Sequence, residues 1–246
     1  MIGSGVLRLG PLRLSVYGLS AAVGLIAALS LSQWTAQLVG IRSQELWDAG
    51  WFAVTAAFVI SRLLLIVRDP HAFVTLPLVV LALPSFTYAG MALTTLAVLA
   101  YVRRKRLPLP ALMDAWAPCA ALLACALSLG HYFEGTDVGM PTSLPWGIQV
   151  SGAGRVQPVQ LFGFAVSLLL LAVLMGLLQR RLLAGTVATV ALMSGGVIAF
   201  LLDMITQPTE WGGRALLDPG QWVALGAIAL GSWMFTRMLT FSKELV

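Results

Sequence analysis

Charged side chains are scarce in this sequence. Asp, Glu, Lys and Arg together make up 10% of the 246 residues, whereas apolar residues make up 59%. A soluble domain typically carries about 25% charged residues, so the composition excludes an ordinary soluble fold. We expect an all-α integral membrane protein in which residues 1–246 form one multi-pass domain.

Cysteine and histidine are also rare, with two of each. Cys119 and Cys125 share one apolar stretch at a spacing that fits neither a metal site nor a C-x-x-C redox motif, so we expect both to be buried packing residues. The two histidines, His71 and His131, are far apart, and no P-loop, nucleophile elbow or zinc-binding helix is present. We therefore expect no metal and no other cofactor. A clear internal repeat is missing too, which weakens a secondary-transporter function.

Long apolar runs are abundant. A membrane-spanning helix needs about 20 mostly apolar residues, and the sequence offers about seven such segments. They are residues 15–38, 49–67, 85–102, 110–129, 159–178, 183–203 and 220–237. The apolar run over 72–101 is too long for one upright span and contains Pro77 and Pro84. We interpret residues 73–83 as a short surface or re-entrant segment, and one long kinked helix is the alternative.

Basic residues collect after the third, fifth and seventh segments. By the positive-inside rule these ends are cytoplasmic, which predicts an amino terminus outside and a carboxyl terminus in the cytoplasm. The loops at residues 130–158 and 204–219 are then extracytoplasmic. The net charge of +5 is spread over loop ends, so it reflects topology and not nucleic-acid binding. We also expect the first apolar run to be a retained helix and not a cleaved signal.

Several short motifs recur in a fixed order along the chain, including a glycine-rich polar loop at residues 130–147. The others are Tyr17-Gly18-Leu19, Ser61-Arg62-Leu63, Ser85-Phe86-Thr87-Tyr88-Ala89-Gly90, Pro158-Val159-Gln160-Leu161-Phe162 and Pro219-Gly220-Gln221. In this order they resemble the prolipoprotein diacylglyceryl transferase family, and the resemblance covers nearly the whole chain. It implies transfer of a diacylglyceryl group from phosphatidylglycerol, or another anionic phospholipid, to the lipobox cysteine thiol of a preprolipoprotein. It also implies a bacterial cytoplasmic (inner) membrane protein.

That chemistry needs a base for the thiol, because the thiolate is the nucleophile. His131, Tyr88 and Asp137 are the catalytic candidates, with His131 as the preferred base because histidine exchanges its proton near neutral pH. The alternative for His131 is a polar cap at the end of the fourth span. Tyr88 could instead be an aromatic residue of the membrane interface.

A second group of candidates would hold the lipid. Arg62 is the first choice for the phosphate, because its planar guanidinium matches two phosphate oxygens and a charge within an apolar span is costly unless it is paired. A structural ion pair or a side chain reaching the interface is the alternative. The resemblance adds five more lipid-binding candidates: Tyr17, Glu134, Gly139, Asp203 and Gln221.

The sequence departs from the family pattern at positions that should carry charge. Ser128 and Ala199 stand where the pattern has arginines, and Gly163 stands where it has a glutamate. His131 and Thr136 replace an asparagine and an acidic residue. His131, Arg155 or Arg214 are possible substitutes for the missing cations. Because of these losses, the alternative is a catalytically silent lipid-binding or scaffold subunit of a membrane complex. The glycines at 195–196 and 226–231 would suit lateral packing in such a complex. A small transporter or lipid-handling protein ranks last.

Overall fold

The computed structural model describes residues 6–9, 12–71, 87–150, 154–180, 182–207 and 217–244. Seven long helices run through these residues, and each coincides with one of the predicted apolar segments. They are α1 (Val16–Leu38), α2 (Ser43–Arg68), α3 (Tyr88–Arg104), α4 (Leu109–Glu134), α5 (Val159–Leu178), α6 (Thr186–Met204) and α7 (Pro219–Glu244). The predicted surface segment at 73–83 and Arg214 lie outside the described residues.

The helices confirm an integral membrane protein. Among the described residues, five helices are long and apolar enough to cross a bilayer, namely α1, α2, α4, α5 and α6. Their outward surfaces are apolar as well, as the exposed side chains of Ile26, Val67 and Leu169 illustrate. So much exposed apolar surface suits a lipid environment and would be unusual in a water-soluble monomer.

Three helices extend by five or more residues beyond the apolar segments that predicted them, and α7 does so by continuing to Glu244. α2 begins at Ser43, six residues early, because its first turns carry Glu45 and Asp48, which suit a helix but not a hydropathy profile. α4 continues to Glu134, so His131 lies in its last turn and not in the following loop. The helix ends where Gly135 adopts a left-handed conformation, with φ of 75°.

Short strands precede α1 and fill the loop between α4 and α5, which hydropathy did not predict. β1 (Val6–Leu9) pairs antiparallel with β2 (Leu12–Ser15). β3 (Ile148–Val150) pairs antiparallel with β4 (Gly154–Val156). In the described residues, therefore, the strands are confined to two small hairpins outside the helical bundle.

The helices pack as a bundle whose buried core lies toward one end. α4 contacts α1, α5 and α6, while α6 also contacts α7, and α2 contacts α1 and α3. The most deeply buried apolar side chains include Leu46, Val102, Leu112 and Leu174, all near the end of the bundle at which α2 begins. The opposite end is more open.

Glycines allow two helix pairs to approach closely. Gly24 on α1 has no room for a side chain beside Ala126 of α4, and Ser20 donates a hydrogen bond to the Ala126 carbonyl at 2.8 Å. On α6, a Cβ at Gly196 would lie 2.8 Å from the Ala224 carbonyl oxygen of α7. Gly196 is therefore used within the chain, and not for the lateral packing that the sequence suggested.

Asp114 ties α4 to the beginning of α6. Its side chain is 4% exposed, and its carboxylate accepts hydrogen bonds from the backbone N–H groups of Gly185 at 2.6 Å and Ala188 at 2.7 Å. Neither N–H group has a partner within the helix, because Gly185 is the N-cap residue of α6 and Ala188 lies in its first turn. A carboxylate from another helix thus caps α6 and stabilises its packing on α4.

We predict that Asp114→Ala destabilises the folded protein by about 2–4 kcal/mol, because two buried N–H groups lose a charged acceptor. The change should lower the midpoint of thermal unfolding in detergent. Asp48→Ala is the matched control, since Asp48 is exposed and, among the described residues, accepts a side-chain hydrogen bond from Gln44 alone. It should shift stability by less than about 0.5 kcal/mol. Equal unfolding midpoints for the two variants would contradict this role.

Candidate active site

A cavity of about 770 Å³ opens at the end of the bundle away from the buried core. Six helices contribute lining residues, each from the helix end that lies at this face. One from each helix, in chain order, is Arg68, Tyr88, His131, Gln160, Asp203 and Gly220. The cavity therefore collects polar side chains at helix ends, where they are spared burial among lipid tails.

His131 lies on the cavity wall with two partners at one ring nitrogen. Its Nδ1 is 2.7 Å from Thr136 Oγ1 and 3.1 Å from Asp137 Oδ2, and its ring centroid is 4.3 Å from that of Tyr17. An ionised carboxylate can only accept a hydrogen bond. In neutral His131 this arrangement favours a proton on Nδ1 and leaves the lone pair on Nε2. A histidine oriented in this way can act as a general base.

The loop that carries Thr136 and Asp137 is fixed by hydrogen bonds to its backbone. Asp137 has a positive φ of 52°. Gln160, in the first turn of α5, donates from Nε2 to the carbonyl oxygens of Thr136 at 2.5 Å and Asp137 at 2.6 Å. Sequence reasoning included Gln160 in a motif but gave it no role, and this amide now accounts for the position of the His131 partners.

Gly139 lies where the same loop crosses the end of α6. It is buried and forms an antiparallel bridge with Thr206, next to the hydrogen bond from Gln207 N–H to the Val138 carbonyl at 3.0 Å. A Cβ at this position would overlap the carbonyl oxygen of Gln157. Close backbone approach therefore requires glycine here.

Asp203 lies at the end of α6 and faces the start of α7. A Cβ added at Gly220 would lie 3.5 Å from its Oδ1. Its Oδ2 is buried and accepts no hydrogen bond from another described residue. A buried carboxylate oxygen without a donor is costly, and the side chain of Gln221 is the neighbouring group that interacts with this carboxylate. Gln221 does not line the cavity, and its Oε1 accepts from the Asp218 N–H at 3.3 Å.

The positions that depart from the family pattern lie in this cavity. Ser128, Gly163 and Ala199 all line it. A side chain at position 163 would begin 3.0 Å from Ser128 Oγ, so positions 128 and 163 are direct neighbours. The missing arginine and the missing glutamate thus leave one wall without charge of either sign.

Four of the nine candidate residues line the cavity: Tyr88, His131, Asp137 and Asp203. Tyr17 contacts it indirectly through His131, and Gly139 shapes the loop. Glu134 does not line the cavity. Nor does Arg62, which lies within α2 with its Cζ 5.0 Å from the ring centroid of Phe58.

Two further arginines, Arg155 and Arg68, differ in whether they line the cavity. Arg155, a possible substitute for the missing cations, does not line the cavity. It instead donates to the carbonyls of Gly147 at 3.1 Å and Pro145 at 2.8 Å. Arg68 lines the cavity and sequence reasoning missed it. Its signal was a basic residue at a helix end opposite the basic clusters, which the positive-inside rule does not explain.

The carboxylates and histidine do not form a metal site. Within the described ranges, no three His, Cys, Asp or Glu side chains are arranged to hold a metal ion. Cys119 and Cys125 are both buried within α4, as the sequence predicted.

Comparison with known proteins gives a match along the chain. The sequence pattern of the family described as prolipoprotein diacylglyceryl transferase matches residues 4–237. Three bacterial proteins named phosphatidylglycerol–prolipoprotein diacylglyceryl transferase are similar over nearly their whole length. The protein from Bordetella parapertussis is 28% identical over 243 residues, covering 93% of this chain and 92% of its own. The protein from Verminephrobacter eiseniae is 29% identical over 252 residues, covering 94% of this chain and 91% of its own. The protein from Cupriavidus metallidurans is 28% identical over 263 residues, covering 94% of this chain and 93% of its own.

We predict that Gly139→Ala opens the loop beside the cavity, because its methyl group has no space beside Gln157. The cost should be about 1–3 kcal/mol, and limited proteolysis should cleave the loop between α4 and α5 faster. Gly176→Ala is the matched control, because a Cβ there meets nothing within 4 Å and alanine favours the interior of α5. Unchanged proteolysis of the Gly139 variant would contradict the conclusion that the close approach of Gly139 and Gln157 holds this loop in place.

Proposed function

The chain belongs to the prolipoprotein diacylglyceryl transferase family, and we propose that it transfers a diacylglyceryl group from phosphatidylglycerol to a lipobox cysteine of a preprolipoprotein. The observation that supports this most is the pairing of His131 with Asp137 on the wall of a cavity of about 770 Å³. A base, a chamber for two substrates and access from the membrane surface are what the reaction requires.

The proposed reaction is a displacement at the glycerol carbon that carries the phosphate. Nε2 of His131 takes the thiol proton, while Asp137 and Thr136 hold the Nδ1 proton. The thiolate then attacks the carbon, a carbon–sulfur bond forms, and the carbon–oxygen bond breaks. Its electron pair leaves with the phosphate oxygen as glycerol phosphate. This division of roles is that of a histidine oriented by a carboxylate.

The other candidates would act on the lipid. Tyr88 is 58% exposed at the start of α3 and lines the cavity, so its phenol can donate to a phosphate oxygen at the interface. Asp203 can accept from the hydroxyls of the glycerol headgroup. Tyr17 supports the imidazole ring. Glu134 at the end of α4 and Gln221 in the first turn of α7 would contact the lipid from outside the cavity lining. Arg62 would contact lipid phosphate outside the cavity.

We propose that all seven helices cross the bacterial cytoplasmic membrane, with the amino terminus outside and the carboxyl terminus in the cytoplasm. The cavity and the loops at 130–158 and 204–219 then face the exterior. Support comes from the basic residues Arg103, Arg104, Lys105, Arg106 and Arg180, which lie at the other end of the bundle.

This topology predicts the labelling of single introduced cysteines. In intact cells, an impermeant maleimide should label Trp146→Cys, in the exposed loop before β3, and should spare Lys105→Cys until the membrane is opened. Native Cys119 and Cys125 are buried and give a low background. Labelling of Lys105→Cys in intact cells would contradict the orientation.

A silent scaffold subunit is not favoured. The family match spans residues 4–237, and the cavity keeps a base with an oriented proton. The small-residue faces that suggested lateral partners are partly used inside the chain, since Gly196 and Gly231 pack α6 against α7.

The test is transfer in phosphatidylglycerol vesicles supplied with a lipobox peptide, with thioether formation followed by mass. His131→Ala should reduce the rate by about 10²- to 10⁴-fold, the usual loss for a general base. His71→Ala is the matched control, because His71 is exposed and lies outside the cavity lining, and it should stay within about twofold of the parent. Equal rates in the parent and the His131 variant would refute the role of His131.

A further inference from the structure

The cavity has an unusual charge balance for a site that would receive an anionic lipid. Among the described lining residues, three are carboxylates, namely Asp137, Asp203 and Asp218, and Arg68 is the one permanent cation. His131 is already paired with Asp137. A phosphate that enters this space is repelled from the aspartate sides and attracted toward Arg68.

Arg68 is available for such a contact. It is the last residue of α2, its side chain is exposed, and no hydrogen bond or ion pair joins it to another described residue. Other arginines of the described chain are engaged: Arg42 pairs with Glu45, and Arg155 donates to two carbonyls. All five guanidinium N–H donors of Arg68 can therefore turn to a ligand.

Among the described residues, α4 and α6 contribute no permanent cation to the cavity. Ser128 and Ala199 line the cavity with a hydroxyl and a methyl group, and Gly163 beside Ser128 adds no charge. In the part of the chain that the structure describes, α2 is the helix that brings a permanent cation to the cavity, through Arg68. An arginine at a helix end can also extend toward the membrane interface.

We propose that Arg68 binds the phosphate of the donor phospholipid, in a cavity whose lining at positions 128 and 199 carries no charge. This inference rests on the proposed function. As the carbon–oxygen bond breaks, the phosphodiester with one negative charge becomes a phosphomonoester with two. A guanidinium that contacts two phosphate oxygens stabilises the second charge as it develops.

The first experiment compares variants in the transfer assay. Arg68→Ala should lower kcat/KM for phosphatidylglycerol by about 10²-fold, and Arg68→Lys should recover only part of the loss because a lysine lacks the planar fork. Arg104→Ala is the matched control, since Arg104 is also an exposed last residue of a helix but lies at the other end of the bundle. It should stay within about twofold of the parent. Equal effects of the two alanine variants would reduce Arg68 to a general interface anchor and overturn the proposal.

A second variant tests whether the cation has moved between helices. Ser128→Arg, added to Arg68→Ala, returns a guanidinium to the same cavity from α4. We expect the double variant to be at least tenfold faster than Arg68→Ala alone. A folded double variant that stays as slow as Arg68→Ala would contradict the exchange of positions.

Binding separates this inference from the proposed function. Short-chain phosphatidylglycerol, the corresponding diacylglycerol without phosphate, and free glycerol phosphate would be titrated into the parent and into Arg68→Ala in detergent. We expect at least tenfold weaker binding of phosphatidylglycerol in the variant and unchanged binding of diacylglycerol. Glycerol phosphate binding reports the phosphate contact without the lipid. Phosphatidylglycerol binding that depends on Arg68 in a parent without transfer would refute the proposed function alone, whereas transfer that is indifferent to Arg68 would refute this inference alone.

Discussion

The attachment of one short loop to two helix ends determines the geometry of the site. Gln160 holds the backbone of Thr136 and Asp137, and Gly139 pairs with Thr206 at the end of α6. Because Thr136 and Asp137 both face Nδ1 of His131, the loop sets the orientation of the imidazole. Without these contacts the ion pair alone would not hold the exposed Asp137 side chain beside the histidine, because a surface ion pair contributes only about 0–1 kcal/mol.

The bilayer explains why the site lies at one end of the bundle. Backbone and ionisable groups are costly among lipid tails, so polar side chains concentrate where helices begin and end. The buried core around Leu46, Val102 and Leu112 is at the other end. One end of the bundle thus contains the buried apolar core, and the other end contains the cavity with its polar side chains.

Hydropathy predicted the helices of this chain well, because apolar length is a direct consequence of membrane thickness. It could not predict that α2 begins at Ser43 or that α4 continues to Glu134, since helix ends depend on capping and on Gly135 and not on apolar content. His131 and Asp137 could be named from the resemblance. Their contact could not, because it depends on a left-handed glycine and on an amide from α5 that is distant in sequence.

The two arginines of α2, Arg62 and Arg68, show the same limit. Arg62 attracted interest because a charge inside an apolar run is costly, yet it does not line the cavity, whereas Arg68 does. These residues are six positions apart, or about 9 Å along the helix, and sequence alone does not say which depth the cavity reaches. The structure shows that the cavity lies at the depth of Arg68. It also shows that, among the described residues, Arg68 and three aspartates line the same cavity.

The central claim is that lipid phosphate and substrate thiol meet in the cavity beside His131. The most direct test is an experimental structure of the protein in phosphatidylglycerol nanodiscs with a lipobox peptide whose cysteine is replaced by serine. We expect the headgroup phosphate within hydrogen-bonding distance of Arg68, and the serine hydroxyl near His131 Nε2. A headgroup at the opposite end of the bundle, in the cavity lined by Arg42 and Lys105, would contradict the account.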